Sequence, residues 1–214
     1  SSAASDVYKR QLNRLETLLD GCSLLGELSE RTKDLIVSFG EMLSSYIISE
    51  ALKAQGEDAA LADSRELIQT NSRFGKASVD FDATNKLIFD YFERSEKKIT
   101  VMPGFIAKSA DGHTTTLGRG GSDYTAAIIA AALEVPSLEI WTDVNGIYTA
   151  NPKLVKQAEP IPYITFEEAM ELSHFGAKVL YAPTIQPILN KDITLHIKNT
   201  FEPEAHGSVV SKVP

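Results

Sequence analysis

Short apolar runs alternating with longer segments of helical period are the feature that most constrains this chain. Residues 35–39 (LIVSF), 59–62, 99–107 (ITVMPGFIA), 138–142 (LEIWT) and 193–198 (ITLHIK) read as strands. Between them lie helical patterns. Leu12, Leu15 and Leu19 share one face of a helix expected to close at Gly21. Residues 41–55 read as a helix stopped by Gly56, and residues 82–97 as a helix through Leu87, Ile88, Tyr91 and Phe92. Residues 122–133 form a fourth. A capping box from Thr165 to Glu168 opens a fifth, running to His174. Pro183 opens a last one towards Asn190. Pro103-Gly104 breaks its strand, and Asp111-Gly112 predicts a hairpin whose returning strand is residues 114–117. Several strands are apolar on both faces, as in sheets covered on both sides. The alternation predicts an α/β protein with a largely parallel central sheet. Residues 69–78 (QTNSRFGKAS) read as a long functional loop.

The chain has 214 residues, enough for one large domain or two small ones, and 43% of them are hydrophobic. Its net charge of -8 argues against a general binder of nucleic acid or of an anionic membrane, either of which needs a basic face. The single cysteine, Cys22, allows neither an internal disulfide nor a cysteine-based zinc site, and points to the cytoplasm. His113, His174, His196 and His206 stand singly, without metal-ligand spacing. The apolar run after the glycines, residues 126–133, is too short to span a bilayer. The opening SSAAS has no apolar core of a signal peptide.

Within this frame, residues 117–123 (LGRGGSD) end a strand, turn on glycines and begin a helix. The first N–H groups of a helix carry partial positive charge, and glycines let a ligand approach them. Arg119 adds a fork that matches a carboxylate or phosphate. The combination fits an anion site. Ser122 or Asp123 could cap the helix. A plain glycine turn with an exposed arginine is the bland alternative. The motif is neither a Walker loop nor GxGxxG.

The next stretch is residues 140–152 (IWTDVNGIYTANP). Asp143 falls at the C-terminal end of a strand, where open α/β sheets bind ligands. Asp143 as a turn cap and Tyr148 as core are the alternatives, and Asn145-Gly146 is a turn pair in its own right.

LGRGGSDYTAA, IWTDVNGIYT and FGAKVL (residues 175–180), with SFGEMLSS (38–45) and TNSRFG (70–75), together resemble aspartokinase, of the amino-acid kinase family. EAMELSHFGAKVL and HIKNT most resemble the kinase domain of the bifunctional aspartokinase–homoserine dehydrogenases. The resemblance covers residues 12–210. It implies the three-layer α/β/α sandwich of the amino-acid kinase fold. It also implies transfer of the γ-phosphoryl of ATP, carried as MgATP, to the β-carboxylate of L-aspartate. The product, 4-phospho-L-aspartate, leads to lysine, threonine and methionine. Such a transfer needs alignment and charge neutralisation, and the acceptor is already ionised at neutral pH.

The roles that follow from the resemblance are these. Arg119 grips a substrate carboxylate, with Gly120, Gly121 and Ser122 in close contact. Glu41 binds the substrate ammonium, and Asp123 supports the same pocket. Thr142, Asp143 and Tyr148 line the nucleotide site. Lys178 contacts the ATP phosphates, followed by Val179, and Arg119, Asp123 and Lys178 are the catalytic set. Arg73 lies in the polar loop over the site. Without the resemblance, Glu41 reads equally as a charge at a helix N-terminus, and Lys178 as solvated surface. No protein ligand for a metal is expected. The partners are L-aspartate and ATP, with no nucleic acid and no membrane, and a homo-oligomer formed through regulatory domains.

The sequence departs from the family pattern at several points. No KFGG-like loop occurs, so residues 1–11 read as a scar or fragment edge. A first strand and helix are expected to be missing, and residues 211–214 read as the start of a linker to absent regulatory domains. Asn151-Pro152-Lys153 stands where Asp-Pro-Arg is usual, so Lys153 keeps charge at the nucleotide without the fork. Tyr181-Ala182 replaces His-Pro, and Asn145 replaces a frequent aspartate. Two other functions stay open on the sequence: a sibling amino-acid or nucleotide kinase, and a regulatory module that binds ATP or an amino acid without turnover.

Overall fold

A computed structural model describes residues 2–152, 154–174 and 180–213. The chain divides into two compact units, residues 1–122 and 123–214.

In the first unit, helix α1 spans Ser2–Leu25 and α2 spans Glu30–Ala54. Helix α1 runs through Gly21 and stops instead at Gly26, whose φ of 68° and N–H bond to Cys22 O end it. The expected strand at residues 35–39 is helical. Ser29 caps α2 by accepting the Thr32 N–H at 3.1 Å, ahead of LIVSF, so the β-branched run continues a helix already begun. Among its buried residues Asp34, Ser38, Ser45 and Ser49 recur at helical spacing, so the buried face is mostly polar and small, with Phe39 beside it, while Val37, Ile47 and Ile48 are exposed. Among the described helices, α2 is long and apolar enough to cross a bilayer by length and composition. Here it packs on α1 and on three strands of its own unit.

Those strands are β1 (Ala59–Leu61), β3 (Ile99–Val101) and β5 (Thr114–Thr116); β2 is Gln69–Thr70 and β4 is Ile106–Ser109. β1 pairs in parallel with β3, β2 in parallel with β4, and β4 antiparallel with β5 across the expected Asp111-Gly112 turn. Helix α3, Phe81–Arg94, is capped by Asp80, which accepts the Ala83 N–H. The buried residues of this unit include Phe39, Ile68, Ile88, Ile106 and Leu117.

Helix α4, Gly121–Leu133, opens in the first unit and runs into the second. The second unit carries β6 (Ser137–Thr142), β7 (Tyr163–Thr165), α5 (Phe166–His174), β8 (Thr194–Asn199) and β9 (Ser208–Ser211). Their sheet has the order β6-β8-β9-β7, with β6/β8 and β7/β9 parallel and β8/β9 antiparallel. Thr165 and Glu168 form the expected capping box in both directions. The helix expected from Pro183 is a 3-10 turn, Ala182–Ile188, with Pro187 inside it. Ala127, Ile147, Ile164, Leu195, Ile197 and Val210 anchor the core of this unit. Four of the six strand pairings are parallel, in an α/β protein.

Candidate functional site

The glycine turn of the first unit is built for close approach. Gly118 and Gly120 lie at φ of 77° and 70°, and the Gly121 N–H closes the turn on Gly118 O at 3.0 Å. A Cβ on Gly118 would come within 3.3 Å of Gly75 O, so the polar loop lies directly against the turn. A Cβ on Gly121 would come within 2.6 Å of the Phe105 ring, and one on Gly104 within 2.9 Å of Ser122 Cα. Phe105 itself holds φ at 69°, a conformation costly for a bulky residue, while its carbonyl accepts the Leu117 N–H. The PGF segment and the glycine turn are therefore packed backbone to backbone.

Arg119 is exposed at the tip of this turn. Ser122 and Asp123 both lie inside the first turn of α4, which begins at Gly121, so neither stands in front of the helix as a cap. Burial alone raises the Asp123 carboxyl above its ordinary value.

Glu41 sits within α2, not between a strand and a helix as the sequence suggested, so the helix-terminus explanation of its charge does not hold. It is half-buried on the same helical stripe as Asp34, Ser38 and Ser45. Among the described residues its side chain accepts no hydrogen bond, and burial raises its pKa.

The polar loop is ordered by its own residues. Asn71 Oδ1 accepts the N–H groups of Arg73 and Ser78, and Asn71 N donates to Ser78 O. Arg73 is exposed on it. Asp34, which the sequence did not single out, reaches this loop from α2. Its Oδ2 accepts the N–H groups of Gly75 at 2.9 Å and Thr116 at 3.0 Å, and its Oδ1 accepts the Thr116 hydroxyl at 2.9 Å. The one available signal was an acid directly before the apolar run 35–39.

In the second unit Asp143 directly follows β6, as expected, and is exposed; Thr142 is half-buried and donates its hydroxyl to Asp143 Oδ1 at 3.3 Å. The turn beyond is fixed from two sides. Asn145 donates to Glu202 and accepts from Asn199 Nδ2, and Ser208 Oγ accepts the Ile147 N–H. Tyr148 is half-buried and bridges to Pro160. Lys153, Lys178 and Val179 lie outside the described residues. Among the described residues no cluster of His, Cys, Asp and Glu suited to a metal occurs.

A family model described as the amino acid kinase family matches residues 3–199. Lysine-sensitive aspartokinase 3 of Escherichia coli K12 is 40% identical over 202 residues, which cover 92% of this chain and 45% of that protein. The bifunctional aspartokinase/homoserine dehydrogenase of Buchnera aphidicola is 35% identical over 205 residues, covering 95% of this chain and 25% of that protein. The chain thus spans less than half the length of these relatives. E. coli aspartokinase III, solved in complex with aspartate and ADP in its R-state, superposes with a TM-score of 0.91 at 38% identity, covering 97% of this chain and 46% of that one.

Proposed function

Because the chain belongs to the amino acid kinase family, we propose that it is the phosphoryl-transfer portion of an aspartokinase. It takes the γ-phosphoryl of MgATP to the β-carboxylate of L-aspartate and releases ADP and 4-phospho-L-aspartate, at the head of lysine, threonine and methionine synthesis. The observation that carries this reading is the turn at residues 118–121. It sets an exposed arginine between two glycines held at positive φ, directly ahead of the N-terminal end of a helix, where backbone N–H groups and a guanidinium suit an anion.

Arg119 takes a substrate carboxylate in two parallel hydrogen bonds, with Gly120, Gly121 and Ser122 against it. Glu41 is a half-buried carboxylate without a side-chain partner among the described residues, of the kind an ammonium group would neutralise. Asp123 supports this pocket. Thr142, Asp143 and Tyr148 hold the nucleotide beyond β6, with Lys153, and Lys178 with Val179 meets the phosphates. Mg²⁺ would come with ATP and would neutralise part of the phosphate charge. No general base is needed, because the acceptor is a carboxylate at neutral pH. The two anions repel, so aligning them and neutralising their charge is the main work. The chain works as part of a homo-oligomer in the cytoplasm, a compartment that its single cysteine supports.

Aspartate-dependent ADP release by the full chain tests this reading. Release that follows N-acetylglutamate or a nucleoside monophosphate instead would assign a sibling kinase. ATP binding with no release for any acceptor would make the chain a regulatory module.

A further inference from the structure

Asp34 is 2% exposed and joins three segments of the first unit. It is carried by α2, it accepts the Gly75 N–H of the polar loop, and it accepts both the N–H and the hydroxyl of Thr116 at the end of β5. Two of the three segments bear a residue of the proposed acceptor site, and the third, the polar loop, bears Arg73. Glu41 lies on the same face of α2, two turns on and about 10 Å along the axis. Arg73 stands two residues before Gly75, and Arg119 three residues after Thr116. The loop and the turn also touch, since Thr116 O accepts the Ala77 N–H at 2.9 Å and Gly118 has no room for a side chain beside Gly75 O.

We infer that Asp34 is a positioning residue for the acceptor amino acid: it sets the register of the helix bearing Glu41 against the turn bearing Arg119. The inference rests on the aspartokinase reading for the identity of the acceptor. The geometry is specific to this half of the site. A bidentate substrate such as aspartate has its ammonium and carboxylate at a fixed separation, so a shift between α2 and the turn misplaces one partner whenever the other is engaged. The nucleotide residues Thr142, Asp143 and Tyr148 belong to the other unit.

Asn can replace this acceptor pattern. Its carbonyl oxygen accepts the two backbone N–H groups, and its amide donates to the Thr116 hydroxyl, which turns to accept. Ala leaves two buried N–H groups unpaired. In the full chain, D34A is expected to raise the KM for aspartate at least tenfold while the KM for ATP stays within about twofold. D34N is expected to stay near the wild type in both. T116V, which removes one bond of the three and keeps both backbone N–H groups paired, is expected to raise the aspartate KM in the same direction by a few-fold. Amide exchange at Gly75 and Thr116 should quicken in D34A and not in D34N.

Equal rises in both KM values, or an aspartate KM unmoved in D34A and T116V, would overturn the positioning role. Failure of D34N to rescue would overturn it as well. A wild-type chain that exchanges slowly at Gly75 and Thr116 but shows no aspartate-dependent ADP release would overturn the aspartokinase reading and leave the clasp itself measured.

Discussion

Ser208 Oγ on β9 fills the space that a side chain on Gly146 would need. The same hydroxyl accepts the Ile147 N–H at 2.8 Å and donates to Ile161 O at 2.5 Å. Gly146 holds φ at 113°, which only glycine adopts without strain. Ser208 therefore holds one side of the turn that follows Asp143 and leads to Tyr148, opposite the Asn145 bonds to Glu202 and Asn199.

Ser208→Ala should leave the buried Ile147 N–H and the partly buried Ile161 carbonyl unpaired, a loss of about 1–3 kcal/mol. For a chain of this length that lowers Tm by roughly 2–4 °C per kcal/mol. Gly146→Ala should lower it further, because it adds backbone strain to a clash with the Ser208 main chain, whose N would lie 2.9 Å from the new Cβ. Calorimetry on the two variants checks the order. A Gly146 variant that melts above the Ser208 variant would show that the hydroxyl, and not the glycine conformation, holds the turn.

What the sequence made legible was chemistry that acts within a few residues. The Asp111-Gly112 hairpin and the Thr165–Glu168 capping box are settled by neighbours, and both formed as expected. LIVSF misled because a β-branched run has strand propensity, whereas the Ser29 cap had already committed the segment to α2. β9 is only SVVS near the chain end, and its strand character comes from pairing with β7 and β8. Asp34 and Ser208 were invisible for a related reason. Their partners stand 82 residues away at Thr116 and 61 residues away at Ile147, and no local spacing encodes such pairs. The candidate site was legible as a set of motifs, because a glycine turn before a helix states its own chemistry. The clasps that hold those motifs in place were not.

Arg119→Ala should raise the aspartate KM far more than the ATP KM, on the order of 100-fold or more, the scale of a lost charge-assisted bidentate contact of about 3 kcal/mol. Arg119→Lys should recover only part of this, since an ammonium keeps the charge and loses the fork. Steady-state kinetics with each substrate varied in turn checks both. Equal losses for aspartate and ATP would remove Arg119 from the acceptor side.

Lys178→Ala should act in the opposite sense. ATP affinity and turnover should both fall, with the aspartate KM changed least, because a cation on the phosphates stabilises charge that moves during transfer. Nucleotide binding by calorimetry together with kcat checks it. Unchanged ATP affinity and turnover would place Lys178 outside the site.

Glu41 sets binding against stability. Burial holds its carboxyl pKa above the ordinary 4.5, so the ionised form is disfavoured in the folded protein. A carboxyl raised on folding contributes stability below its unfolded pKa and loses it as pH rises through the folded value. At pH 7 the unliganded protein therefore carries the cost of a poorly solvated charge. Glu41→Gln removes that charge and should raise the Tm of the unliganded protein at pH 7. The gain should vanish below about pH 4.3, where an unperturbed glutamate is itself protonated. The same substitution should raise the aspartate KM, because the amide cannot neutralise an ammonium. In the wild type the aspartate KM should begin to rise on acidification at a pH above 4.5, while the β-carboxyl of free aspartate stays ionised down to about 3.9. In the Gln variant that rise should be absent. Melting curves and kinetics across pH 4 to 8 read both effects on one pair of proteins, and a Gln variant that melts lower at pH 7 would show that Glu41 is held by a favourable partner instead of waiting for one.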